Sequence, residues 1–362
     1  MIMNPKSLLY ISGHNPDTDT GVEKKVQDLC AVARRFGYSA RVICHYPRTL
    51  SERRDMLRQM LDSDAGVVVL RSFNAFNLRC RRLLKQAKRQ GRILVLDQPT
   101  PLASYMREIW GSSVSFGRKA LSALRLLLNG PWGQRVFDRI IQYGNESWFF
   151  SLGNKSRTVL TGNGIDVSRM DLRSPLYGKP GSLRLVGVAS SVSPWQGFDR
   201  IIKAMGMLRK KGSTLAVEFE VVGDCGGSHL KDLAEREGVA DRVHFHGPRR
   251  SDYIGDLYSR CDLAVSSLGL FRKGLSTASV LKAREYCLAG IPFIACGTDP
   301  DFPSDVPFRF EVPNDESVEP IVDVMERFES ERKGFADSQI RDYALEHLSY
   351  EHKFNEMMEG LV

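Results

Sequence analysis

The sequence predicts an α/β protein made of two doubly wound parallel-sheet domains facing across a cleft. Three observations predict it. Short apolar runs alternate with stretches of helical period, the pattern of parallel strands covered on both faces. The alternation breaks in a stretch rich in Pro, Gly and Ser, around 171–182, and then restarts. The chain has 362 residues, room for two cores at roughly 100–200 residues per domain.

Taken in order, residues 8–12 read as a buried strand and 13–21 as a loop. Apolar residues at Val22, Val26, Leu29, Cys30, Ala33 and Phe36 then recur at helical spacing. Residues 40–44 form the second strand, and 51–61 a helix with Ser51 at its N-cap. Residues 66–70 and 92–96 are further strands, separated by a helix over 77–90. The second half begins with a strand at 183–188 and a helix at 198–211. Strands at 217–222, 243–246, 263–266 and 292–296 follow, interleaved with helices at 229–238, 251–260 and 279–289. A helix at 316–329 and a helical stretch from 336 to 360 close the chain. The expected division is an N-terminal domain over 1–172, a linker over 173–182 and a C-terminal domain over 183–335. Residues 336–362 would cross back to the N-terminal domain.

Composition excludes several classes. Charged residues at 26% and aromatics at 9% are inconsistent with disorder. No apolar run approaches the ~18–20 residues needed to span a bilayer. Seven scattered cysteines without a Cys-x-x-Cys pair argue against a disulfide scaffold or a zinc ribbon. With no signal-peptide pattern in the first residues, they predict a cytoplasmic protein. The net charge of +8 points to an anionic partner: a nucleotide, a membrane surface or a nucleic acid. Nucleic acid is disfavoured because aromatic and basic residues are not interleaved and no reader motif is present. His244 and His246 share a strand face without a third ligand, so no metal site is expected.

Open α/β sheets bind ligands beyond the carboxyl ends of their strands, so three strand-to-helix loops carry the chemistry. The loop at 13–21 has Gly13 and Gly21 at its ends and small polar residues between, which suits backbone amides approaching an anion. It reads equally as an ordinary connection. His14 within it is a sugar contact, a proton relay or a loop histidine. The loop at 189–197 carries Ser190, Ser191 and Ser193 ahead of a helix, a setting for a diphosphate. The loop at 266–279 is the strongest: Arg272 and Lys273 precede a helix that carries Lys282, Arg284 and Glu285 in its first two turns. A carboxylate at Glu285 can accept hydrogen bonds from a ribose 2′,3′-diol, and Arg272, Lys273 and Lys282 can neutralise a leaving diphosphate. A solvated face with Glu285 paired to a neighbouring cation is the bland alternative.

From Asn163 to Asn314 these segments resemble the donor half of a family 4 glycosyltransferase with the GT-B fold, that is, two Rossmann-like domains. Asn163-Gly164-Ile165-Asp166, Val221-Val222-Gly223-Asp224 and Val243-His244-Phe245-His246-Gly247-Pro248 are similar to its successive segments. Ser279-Val280-Leu281-Lys282-Ala283-Arg284-Glu285-Tyr286 with Gly290-Ile291-Pro292, and Trp195-Gln196-Gly197-Phe198-Asp199-Arg200, resemble bacterial capsule and exopolysaccharide transferases. Two departures stand out. The family's Glu-x7-Glu motif has its second glutamate at Glu285, but Thr277 stands at the first. The Arg and Lys used on the diphosphate would fall within 189–196, where neither occurs.

The resemblance implies metal-independent, retaining transfer of a sugar from a nucleotide diphosphate sugar, by default a UDP-sugar, in surface polysaccharide biosynthesis. It needs no cofactor. Arg272, Lys282 and Glu285 would be catalytic. Gly21, Ser190, Ser191, Gly247, Lys273, Ser279, Leu281 and Glu285 would hold the donor, and His14 and Gln98 would contact the sugar or acceptor. The acceptor would be a glycan or lipid-linked glycan bound by the N-terminal domain. There the basic stretches 79–92 and 116–128 suit an anionic membrane surface and peripheral association with it. The alternatives are a non-catalytic scaffold on the same fold, favoured by Thr277 and the missing cations, and a nucleotide-sugar epimerase or hydrolase.

Overall fold

The computed structural model describes residues 4–17, 19–47, 49–71, 78–176, 180–226 and 229–361. The chain divides into two compact units, Met1–Gly164 with Tyr350–Val362, and Ile165–Ser349.

The first unit contains β1 (Asn4–Ser12), α1 (Thr20–Arg35), β2 (Ser39–Cys44), α2 (Leu50–Asp62), β3 (Ala65–Arg71) and α3 (Leu78–Arg89). It continues with β4 (Ile93–Gln98), α4 (Leu102–Gly111), α5 (Phe116–Asn129), β5 (Arg139–Gln142), α6 (Trp148–Ser151) and β6 (Thr158–Leu160). The strands form one parallel sheet in the order β2-β1-β3-β4-β5-β6. The two-residue period of a strand divides its side chains between two apolar layers. Leu9, Ile11, Val68, Leu70, Leu94 and Leu96 enter one, and Leu8, Tyr10, Val67, Val69 and Val95 the other.

The second unit contains β7 (Ser182–Ser191), α7 (Phe198–Lys210), β8 (Ala216–Asp224), α8 (His229–Arg236), β9 (Val243–Gly247) and α9 (Ser251–Arg260). β10 (Leu263–Val265), α10 (Leu281–Ala289), β11 (Phe293–Cys296), β12 (Arg309–Val312), α11 (Glu319–Glu331) and α12 (Asp337–Tyr343) complete it. Its parallel sheet has the order β12-β11-β10-β7-β8-β9. In each sheet the order reverses beside the first strand of its unit, the doubly wound arrangement that makes a switch point.

The linker expected at 173–182 lies inside the second unit, and the division falls at Gly164 and Ile165 instead. Tertiary bonds outweigh local composition here. Arg173 is buried: its Nε donates to Asp337 Oδ2 at 2.8 Å and its Nη1 to the Tyr258 carbonyl at 3.0 Å. The Leu176 amide donates to the Ser259 carbonyl at 2.7 Å. Residues 177–179 of that stretch lie outside the described residues. The closing helical stretch is also divided. α12 and the π-turn after it (Ala344–Leu348) stay with the second unit, and α13 (Tyr350–Met358) returns to the first. There Phe354 packs on Phe36 and Tyr38, with ring centroids 5.3 and 5.5 Å apart.

Candidate functional site

Two loops of the second unit are locked together beyond the carboxyl ends of β7 and β10. Ser190 and Ser191 end β7 and are exposed. Gly223, at φ +134°, lets the end of β8 pass close by, since a Cβ there would stand 1.9 Å from the Ala189 carbonyl oxygen. A turn over Pro194–Gln196 leads into α7 through Gly197. Gly197 is left-handed at φ +69°, and a Cβ on it would meet Leu268 at 2.7 Å. The Leu268 amide donates to the Gln196 carbonyl at 2.9 Å, and the Gly269 amide to the Trp195 carbonyl at 3.1 Å. The serine-rich loop and the basic loop therefore form one surface.

Arg272, expected to meet a phosphate, is engaged within the chain at this surface. Its Nη1 and Nη2 grip both oxygens of Asp199 at 2.7 and 2.8 Å. Its Nε and Nη2 hold Glu316 at 2.9 and 2.6 Å, and Nη1 also donates to the Pro194 carbonyl at 2.7 Å. All five guanidinium N–H donors thus have internal acceptors, so none is left for a phosphate. Burial would raise the Asp199 carboxyl, but Arg272 and Lys203 outweigh it and hold it below the usual carboxylate range. Arg272 is a brace between the loop, α7 and the segment at Glu316.

Lys273 and Lys282 are the other cations expected there. Lys273 is exposed, with its ammonium 4.4 Å from the Trp195 ring centroid. Lys282 sits in the first turn of α10 and is only 8% exposed. Its Nζ donates to Gln196 Oε1 and lies 4.8 Å from the centroid of Phe198. The Ser267 hydroxyl donates to the same Gln196 oxygen at 3.2 Å. Burial lowers the Lys282 ammonium from 10.5 to about 7, against the opposing pull of Glu285. Glu285 is half-buried and three residues further on, on the same helix face.

The helix begins at Leu281 rather than at Ser279, because Val280 is extended at φ −92° and ψ 120°. Ser279 is half-buried at the helix entry, and Leu281 is 46% exposed. Thr277 pairs with Thr298, their hydroxyl oxygens 2.7 Å apart. Gly247 ends β9 at φ +66° with open space where a Cβ would point. Two features of this region escaped the sequence reading. Arg284 is fully buried and braces Asp299 and Asp301, with Nη2 at 2.6 Å from each. Asn314 accepts from the Phe271 amide at 3.0 Å and donates to the Leu275 carbonyl at 2.8 Å, which fixes the basic loop.

In the first unit, His14 is buried rather than a surface residue. Its Nε2 lies 3.0 Å from Glu23 Oε2, and its Nδ1 2.6 Å from the Ser12 hydroxyl. A carboxylate only accepts, so Nε2 donates to Glu23. Cys44 Sγ stands 3.4 Å from the same ring, and burial pushes its thiol up to about 11. His14, Glu23 and Cys44 thus form a cluster of potential ligand groups that sequence spacing did not reveal. They come from three elements that only the parallel sheet brings together. Gly21 lies in the first turn of α1 with nothing near its missing Cβ, so no close approach within the chain requires glycine there. Gln98 is buried and donates to the Thr100 carbonyl at 2.6 Å. Beside it, Asp97 takes a 2.6 Å bond from Arg71 and the phenol of Tyr10, with Lys25 Nζ at 3.7 Å. Burial lowers the Lys25 ammonium to about 7.

Residues 183–320, which span both locked loops and α10, match the family model of the glycosyl transferases group 1. Over its whole length the chain superposes on a glycosyltransferase from Rickettsia africae ESF-5, with a TM-score of 0.64 at 13% identity, covering 99% of this chain and 100% of that one. The fold is GT-B. It is shared with WaaG, a glycosyltransferase of lipopolysaccharide biosynthesis, at a TM-score of 0.60 and 16% identity over 98% of this chain and 100% of that one. It is also shared with the Anabaena HepE protein, solved in complex with UDP-glucose, at 0.57 and 15% over 98% and 99%. In sequence, the chain is 34% identical over 97 residues to a D-inositol 3-phosphate glycosyltransferase of Salinispora arenicola, covering 24% of this chain and 21% of that one. A Salinispora tropica protein of the same name is 32% identical over 90 residues, covering 22% and 18%. The match thus spans about a fifth of the length of these two relatives. Among the described residues, no helix is long and apolar enough to cross a membrane.

Proposed function

We propose that this chain is a metal-independent, retaining glycosyltransferase that uses a nucleotide diphosphate sugar, by default a UDP-sugar, in surface polysaccharide biosynthesis. The observation that carries the reading is the Lys282–Gln196 contact within the group 1 domain. It sets a cation beside the serine-rich loop that lacks one of its own. In this reading Glu285 accepts hydrogen bonds from the ribose diol. Lys282, Lys273 and the amides and hydroxyls of Ser190, Ser191 and Ser279 face the diphosphate, with Leu281 and Gly247 along the nucleotide. Negative charge develops on the leaving phosphate in the transition state, and preorganised positive groups aimed there are the main source of rate. The acceptor hydroxyl attacks from the leaving-group side, and the departing phosphate takes its proton. No enzymatic nucleophile is then needed.

The first unit is the proposed acceptor half, with His14 and Gln98 as hydrogen-bonding candidates. A lipid-linked glycan at an anionic surface suits α5, where Phe116, Leu121 and Leu124 are exposed beside Arg118 and Lys119. Trp110 lies beside Phe116 with the rings tilted and their centroids 6.0 Å apart. The test is a thermal-shift series with UDP, GDP, ADP and CMP on the wild type and Glu285→Ala. A ligand at ~100 times its Kd stabilises by about 2.7 kcal/mol. A shift with one nucleotide that is lost in Glu285→Ala is expected. No shift with any of the four would overturn the donor site and leave the scaffold alternative.

A further inference from the structure

Lys282 differs from an ordinary phosphate-binding lysine in its surroundings. It is held before any ligand arrives, and its acceptor is a neutral amide oxygen. Gln196 comes from the turn before α7, Phe198 from α7, Ser267 from the segment after β10, and Glu285 from its own helix. Glu285 is the charged group among these, and it is half-buried where Lys282 is buried. Gln196 has one side-chain oxygen with two lone pairs, and Ser267 and Lys282 occupy both. That arrangement points the ammonium at a fixed spot in a poorly solvated site, where the pull of the half-buried Glu285 offsets only part of the cost of burying its charge.

Resting on the donor reading above, we infer that donor binding at this site takes up a proton from solvent onto Lys282, with Gln196 and Ser267 as its positioning residues. The free protein carries a mixture of neutral amine and ammonium near neutrality, since burial lowers this group to about 7. A diphosphate diester brings two negative charges and no group of its own that titrates near pH 7. Placed beside Nζ, it favours the ammonium and pulls the proton on. Donor affinity is then highest in mildly acidic solution and falls as pH rises through neutrality. For full protonation on binding, the apparent Kd is about tenfold weaker at pH 8 than at pH 6. Uptake is close to ~0.9 proton per nucleotide at pH 8 and ~0.1 at pH 6 on the same linkage.

The experiment is isothermal titration of the full chain with UDP-glucose, GDP-glucose and ADP-glucose. Each is run at pH 6 and pH 8 in two buffers of different ionisation enthalpy. Sugar nucleotides are used because the terminal phosphate of a free nucleoside diphosphate titrates near neutrality and would mask the signal. The expected result is proton uptake that grows with pH and is absent in Lys282→Arg, whose guanidinium stays charged throughout. Gln196→Met removes the acceptor that favours the ammonium, so it moves the midpoint of the affinity profile to lower pH. A purely structural role for Gln196 would weaken binding equally at both pH values. Binding by the wild type without uptake, or an unmoved midpoint in Gln196→Met, overturns this inference and leaves the donor reading standing. No binding by any of the three overturns both.

Discussion

Replacing Lys282 by methionine should make the protein more stable at neutral pH while abolishing its use of a donor. The side chain is buried, and its ammonium is lowered from 10.5 to about 7. That depression corresponds to at most about 5 kcal/mol against the charged form in the folded state. Losing the bond to Gln196 offsets about 1.5–3 kcal/mol of it, the range for a hydrogen bond to a charged group. Gln196 keeps its bond from Ser267, so no buried oxygen is orphaned. The net expectation is a gain of about 2 kcal/mol, or roughly 4–8 °C in Tm for a domain of this size. The sign depends on pH. Below about 7 the lysine is charged in both states, and the wild type carries the full penalty. Between about 7 and 10.5 the unfolded chain binds more protons than the folded one, so wild-type stability rises with pH. The methionine variant lacks that rise, and its advantage shrinks toward pH 10. Lys25 contributes a similar rise to both proteins, so the difference between the two curves isolates Lys282. Urea unfolding followed by far-ultraviolet circular dichroism from pH 6 to 10 measures it. A variant that is less stable by more than ~1 kcal/mol at pH 7, or an advantage independent of pH, would refute the reasoning.

The remaining predictions concern how the site is held. Arg284→Met leaves Asp299 and Asp301 buried without their cation and should cost about 3–5 kcal/mol. A loss under ~1 kcal/mol by denaturant midpoint would show that the brace is not needed. Gly223→Ala puts a Cβ 1.9 Å from the Ala189 carbonyl at a φ of +134°. It should cost at least ~2 kcal/mol through backbone strain and forced separation of β7 and β8. It should also abolish the nucleotide-induced thermal shift, and unchanged values of both would remove the close approach as a constraint on the serine-rich loop.

The parts of this molecule that were legible in the sequence depend on short-range periodicity. Runs such as Ala65–Arg71, buried at every position, announce a central parallel strand, and the glycine and serine stretches between runs announce loops. β5, β6 and β12 are not legible, because segments of three or four residues carry too little periodicity to stand out. The boundary between the units differs from the composition break for another reason. Proline and glycine mark where secondary structure breaks, but the anchoring of that stretch depends on Arg173 reaching residues 85 and 164 positions away. The ion pairs of Arg272 are hidden in the same way: its charge is written locally, and its pairing with Asp199 and Glu316 is not.

Helix α10 shows most clearly where hydropathy stops predicting burial. Lys282, Ala283, Arg284, Tyr286 and Cys287 are all buried, so no face of it is polar enough to give an amphipathic signal. Leu281 is exposed and its neighbour Lys282 is buried, the reverse of what their side chains prefer in isolation. Arg284 offsets its own burial with two carboxylates, which makes it a structural group. Lys282 has a neutral amide acceptor, and the pull of Glu285 offsets its burial only in part. On the donor reading proposed above, an anionic ligand is the partner that would complete it. In the same reading the exposed Leu281 beside it is covered by that ligand. On that reading the burial of Lys282, more than the presence of Glu285, is what singles out the amino end of α10 as the proposed donor site.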